Sequence, residues 1–333
     1  MAYRLKSDES VPAALKRIVC EELESAAAQL EPQVPSKRDE GIHEARKSMK
    51  KIRAVLRLAE AEMGAAFPAE NSRFRDIGRK LSVYRDAGVM IETFDGLKEK
   101  YRDELGRRTL GSIRRALVAH KEQTEGGDGI TRVLAGIARA VRREAKKVEK
   151  WPLQADGFRA IAPGLEKTYR RGRKAMARAG KKPRPENYHE WRKRVKDHWY
   201  HVRLLESVWT DVMQAYEKSL KELETWLGDD HNLVVLHDKV AAEPLALGSQ
   251  RDVDLLLKLI DKYQKELRDN AMSLGEAIYA EKPGQFATRM EHLWDAWKHQ
   301  PDTLKEIEKQ ERRAAKKASP AAAPKAVAAT PAA

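Results

Sequence analysis

The chain has 333 residues, 41% hydrophobic and 35% charged, with 65 Lys and Arg against 51 Asp and Glu for a net charge of +14. That length suits one large domain or two ordinary ones with a substantial core, and the basic excess points to a polyanion: nucleic acid, an anionic membrane or a phosphate polymer. A lone Cys20 excludes an internal disulfide framework, and neither a signal-peptide run nor an apolar stretch near the ~20 residues of a bilayer span is present, so a cytoplasmic protein is expected.

Periodicity near 3.6 predicts helices over 10–30, 38–63, 68–99, 102–124 and 130–149. A second set is expected over 156–179, 185–208, 211–242, 250–280 and 283–317, separated by Pro, Gly and Asp clusters. The Ala/Pro stretch 319–333 reads as a disordered tail. Charge concentrates in residues 159–203, which hold fifteen basic and four acidic side chains.

An internal repeat runs through the chain at a constant offset of 146. His43-Glu44-Ala45-Arg46-Lys47 matches His189-Glu190-Trp191-Arg192-Lys193, and Lys50, Arg57 and Leu58 match Lys196, Arg203 and Leu204. Phe74, Ile77 and Leu81 fall on Leu220, Leu223 and Leu227, and Asp86 falls on Asn232. The expected fold is all-α: two four-helix-bundle-like repeats related by an internal pseudo-twofold. The repeats span about 8–150 and 151–318 within one domain over 1–318.

On a helical projection, Ala45, Met49, Ile52, Leu56 and Ala59 form an apolar stripe. His43, Arg46, Lys47, Lys50, Arg53 and Arg57 lie opposite, with almost no acidic relief on that face. Like charges at i,i+3 and i,i+4 repel by a few tenths of a kcal/mol per pair. The second copy presents His189, Arg192, Lys193, Lys196 and Arg203, joined by Trp199 and Tyr200. Such faces suit an extended polyanion, although an ordinary solvated helix face is the bland alternative. Arg170, Arg171, Arg173 and Lys174 precede the second basic helix and could extend its surface; Arg85 follows the first. His198 and His201 fall on the apolar side at i,i+3, where satisfied core histidines are favoured over a metal pair. Asp86 and Asn232 read as turn anchors.

The duplicated H-E-x-R-K-x-x-K helix, with MAYRLK at the start and Tyr169-Arg-Arg-Gly-Arg-Lys between the copies, resembles the CHAD family, the conserved-histidine α-helical domain. The resemblance extends from residue 1 to about 310 and would attach the family's name to His43 and His189. It implies paired helical bundles with a basic groove or channel that binds inorganic polyphosphate. The ExExK-type strand of the hydrolase domain that often accompanies CHAD domains is absent. The expectation is therefore a non-catalytic binder without cofactor or metal, associated with polyphosphate granules. Trp199 stands where the first copy has Arg53, so the halves need not contribute equally. Two other readings stay open: a nucleic-acid-binding helical protein, which shares the charge but shows no recognisable binding motif, and a metal-dependent phosphohydrolase, which would need carboxylates beside the phosphates.

Overall fold

The computed structural model describes residues 3–31, 37–82, 86–105, 110–125, 129–242 and 249–299, and among these every regular element is helical. Among the described residues thirteen α-helices run in chain order: α1 (Val11–Gln29), α2 (Arg38–Leu58), α3 (Glu60–Met63), α4 (Phe67–Ser82), α5 (Asp86–Lys100), α6 (Arg102–Leu105) and α7 (Gly111–Glu125), followed by α8 (Gly129–Val148), α9 (Ala162–Lys181), α10 (Pro185–Leu204), α11 (Thr210–Ala242), α12 (Gln250–Ile278) and α13 (Pro283–Lys298). Arg85 and the 319–333 stretch lie outside the described residues, as does the predicted last helix beyond residue 299.

Local signals account for several ends. The Ser10 hydroxyl accepts from the Ala13 amide at 3.4 Å, and Pro12 occupies the first turn of α1, where its missing N–H costs nothing. The predicted 38–63 helix breaks at Ala59, and Gly64, at φ 47°, turns the chain into α4. The predicted 102–124 helix is likewise divided, with Leu110 outside either part, and residues 83–85 of the predicted 68–99 helix lie outside the described residues. Helix α11 runs unbroken from Thr210 to Ala242. Asn232 therefore stands within a helix and anchors no turn.

Within the first half, α1 packs on α2 and α8, α2 on α4, and α5 on α7. Within the second, α9 packs on α10 and α13, α10 on α11, and α11 on α12. Across the halves α2 meets α9 and α10, and α5 meets α11.

Burial follows the stripe on α2: Ala45, Met49, Ile52, Leu56 and Ala59 are all buried. They join a core that includes Leu23, Phe74, Val141, Leu165, Val195, Leu223 and Phe286. A second core gathers Phe94 and Leu97 of α5, Ile113 and Leu117 of α7, Leu233 and Leu236 of α11, and Leu256 and Ile260 of α12. Both cores draw on residues from either side of position 150, so the halves share their interiors. The linker reinforces this, because the Asp156 carboxylate accepts from the Val11 amide at 2.7 Å and caps α1 from across the junction. No described helix is long and apolar enough to cross a membrane.

Candidate functional site

Helices α2, α5, α10 and α11 enclose a cleft of about 550 Å³. From α2 it receives His43, Arg46, Lys47 and Lys50, and from α10 it receives Arg192, Lys196, Trp199 and Tyr200. Helix α5 adds Val89, Met90 and Glu92. Helix α11 adds Lys221, Glu224, Thr225, Gly228, Asp229, His231, Asn232 and Val235. The buried stripe of α2 turns its cationic side toward this space, and α10 does the same from the second half.

The charge there is not unrelieved, and this corrects the helical-projection reading. Glu224 on α11 is almost fully buried beneath three cations. Its carboxylate lies 2.7 Å from Lys196 Nζ, 3.0 Å from Lys221 Nζ and 3.6 Å from an Arg192 nitrogen. Burial alone would raise its pKa, but Lys196, Arg192 and Lys221 overcome that and hold it at about 2. Lys47 pairs with Glu44 on its own helix at 3.1 Å, and Lys193 pairs with Glu190. Glu224 escapes a one-helix projection because it comes from another helix, whereas Glu44 and Glu190 lie on the same helices as their partners.

Lys50 differs. It is exposed to the cleft, and among the described residues no carboxylate stands within ion-pair distance of it. The surrounding walls remove bulk water from the ammonium, and Lys196, Arg46 and Arg192 repel its charge; together they lower its pKa to about 7. Cleft water moderates this effect, since the side chain remains accessible.

Histidines fall into two groups. His43 is half-exposed at the cleft wall. His189 lies just outside the lining, with its ring centroid 4.0 Å from that of His231, which does line the cleft. Burial and the neighbouring Lys193 and Arg192 lower the pKa of His189, and burial followed by His189 brings His231 to about 4. His198 and His201 are fully buried. A contact of 2.8 Å between His201 Nε2 and the Ala54 carbonyl fixes that ring, and desolvation takes the two pKa values to about 3 and about 4. They are neutral core histidines.

Of the remaining expected residues, all but Tyr200 stand apart from the cleft. Arg57 reaches across the halves to Asp197 at 3.0 Å, and Arg53 donates to Asn71 at 3.1 Å. Arg203 pairs with Glu217 at 3.0 Å while covering the Tyr3 and Trp199 rings. These three arginines fasten helices together. Arg170 pairs with Glu166 at 2.7 Å, and Arg171 and Lys174 are exposed on α9 with Arg173 half-buried, none of them lining the cleft. Tyr200 is buried and stacked against Trp199 at 4.9 Å, so it forms wall and not an open contact.

Sequence reasoning missed Lys221, Glu224 and Asp229. Lys221 carries a signal in hindsight, since Arg75 precedes it by 146 residues; Glu224 carries none, because Gly78 occupies the matching place. No group of three His, Cys, Asp or Glu side chains among the described residues is placed to hold a metal ion.

An all-helical protein with a cationic interhelical cleft is the class this arrangement defines. The CHAD domain family model matches residues 17–241, about two thirds of the chain, and the protein belongs to that family. The match leaves out the first sixteen residues and everything after 241. No curated protein matches the chain.

Proposed function

We propose that the cleft binds inorganic polyphosphate without hydrolysing it. The observation that carries this reading is the convergence of Arg46 and Lys50 from the first half with Arg192, Lys196 and Lys221 from the second on one space. A phosphate polymer presents a charge on every unit, and successive charges can meet cations from both walls. Family membership supports the same ligand.

One feature favours polyphosphate over nucleic acid. Trp199 and Tyr200, the large aromatic residues of the cleft, stack on each other and are buried, so neither offers a free face to a nucleobase. The lining also holds six Lys and Arg against three Asp and Glu, which suits a ligand that carries a charge on every unit. Glu224 itself is no candidate base, because an ion-paired carboxylate with a pKa of about 2 is far too weak to take protons near neutral pH.

The proposal extends to architecture and place. We read the chain as two copies of one helical unit related by a pseudo-twofold, spanning about 8–150 and 151–318 of a single domain. The parallel packing order of α1, α2 and α8 with α9, α10 and α13 supports this. A cytoplasmic protein, associated with polyphosphate granules, fits such a binder.

Competition binding tests the ligand, with polyphosphate set against DNA and RNA of matched charge at several salt concentrations. Polyphosphate is expected to win, with affinity falling as salt rises. Reversing Arg46, Lys47 and Lys50 to Glu is expected to abolish that binding while helical circular dichroism is retained. Tighter binding of DNA or RNA would overturn the reading, and phosphate release with Mg²⁺ or Mn²⁺ would overturn its non-catalytic part.

A further inference from the structure

The two cationic walls of the cleft are built on equivalent positions but are not electrostatically equivalent. Under the 146-residue offset Lys50 corresponds to Lys196, and the place of Glu224 is taken by Gly78. The offset is also respected in space. Arg53 Nε lies 3.1 Å from Asn71 Oδ1, and Trp199 Nε1 lies 3.3 Å from Glu217 Oε1, where both donor and acceptor are offset-matched pairs. Gly78 therefore marks where a carboxylate would sit beside Lys50. An added Cβ there meets only Met49 Cβ, at an ordinary 3.7 Å. The counterpart of Lys221 does not compensate, because Arg75 turns to Asp76 at 2.9 Å. One wall thus carries its own anion, and the other has none at the matched position.

We infer that Glu224 is a built-in counterion that makes the cleft directional, so that a phosphate chain is anchored chiefly on the Lys50 wall and only secondarily on the Lys196 wall. The inference rests on the polyphosphate reading above. Its physical basis is what an incoming phosphate meets on each side. Beside Lys50 it relieves repulsion from Lys196, Arg46 and Arg192 and restores lost solvation. Beside Lys196 it meets an ammonium already satisfied at 2.7 Å, with a buried negative charge behind it. A second anion there is repelled by the first. Cations already neutralised within the protein also release fewer counterions from the polymer.

A purely structural Glu224, one that only holds three cations in position, makes the opposite forecast for its removal. Calorimetric titration of the full chain with polyphosphate of defined length, at fixed salt, separates the two. Lys50→Gln is expected to weaken binding about tenfold, the loss of one charge-assisted contact, and Lys196→Gln distinctly less. Glu224→Gln is expected to tighten binding several-fold and to make Lys196→Gln as costly as Lys50→Gln. Should Glu224→Gln fail to fold, Gly78→Glu tests the same idea from the other wall, and it is expected to weaken binding while circular dichroism and melting stay close to wild type. Equal losses for Lys50→Gln and Lys196→Gln, or weaker binding by a folded Glu224→Gln, would overturn the directional cleft and leave the polyphosphate reading standing. Absence of binding by the wild-type chain would overturn both.

Discussion

Lys50 is the residue at which the proposed polyphosphate site is expected to be most sensitive to its ligand. Its pKa is lowered toward about 7 in the empty protein, so its ammonium gives up its proton much nearer neutral pH than an ordinary lysine does. A phosphate beside it favours the charged form, so the bound state keeps the proton to higher pH than the free state. Affinity that depends on this proton is full below about pH 7 and declines as pH rises from there toward the higher pKa of the complex. Polyphosphate binding is accordingly expected to weaken between about pH 7 and pH 9, with net proton uptake on binding. Titration in buffers of different ionisation enthalpy measures that uptake directly. Lys50→Gln is expected to flatten the profile, whereas a profile unchanged by this substitution would assign the titration to another group. His189 and His231 act in a separate window, because both are held below the ordinary histidine range and stay neutral at pH 7.

At the scale of elements, the position of the cleft depends on how closely α9 approaches α2. Gly164 in the first turn of α9 lies against the end of α2, where an added Cβ would come within 2.0 Å of the Leu58 carbonyl oxygen. Backbone cannot yield as a flexible side chain can. Gly164→Ala is therefore expected to destabilise by about 1–3 kcal/mol or more, visible as a lowered thermal midpoint, and a midpoint unchanged from wild type would show that the helices separate easily. Helix α2 itself is legible in the sequence, because its apolar residues recur at three and four positions and all are buried. The break at Ala59 is not legible, since the same periodicity runs on through it. Nor are the salt bridges that quiet the basic face. Lys196 finds Glu224 at 2.7 Å, 28 residues away on another helix, and Arg57 finds Asp197, 140 residues away in the other half. A projection of one helix contains neither partner. The repeat locates the cationic walls, while the unmatched Glu224 is visible only once α11 is laid against α10.

For the whole molecule, shared interiors matter more than the boundary near residue 150. Because α5 and α7 complete a core with α11 and α12, the two halves are held in one fixed relation and their basic faces open on one space. A long phosphate chain that touches one wall then meets the other as an intramolecular partner, at high effective concentration. The most direct measurement is calorimetric titration with short and long polyphosphates of three full-length proteins: wild type, Arg46→Gln with Lys50→Gln, and Arg192→Gln with Lys196→Gln. A single joint site is expected to give one long chain per protein and a clear preference for long over short chains. Either paired variant is expected to lose most of that preference across the whole population, the first pair more severely. If each variant instead keeps half of the sites at full affinity, the walls act independently and the joint cleft is contradicted.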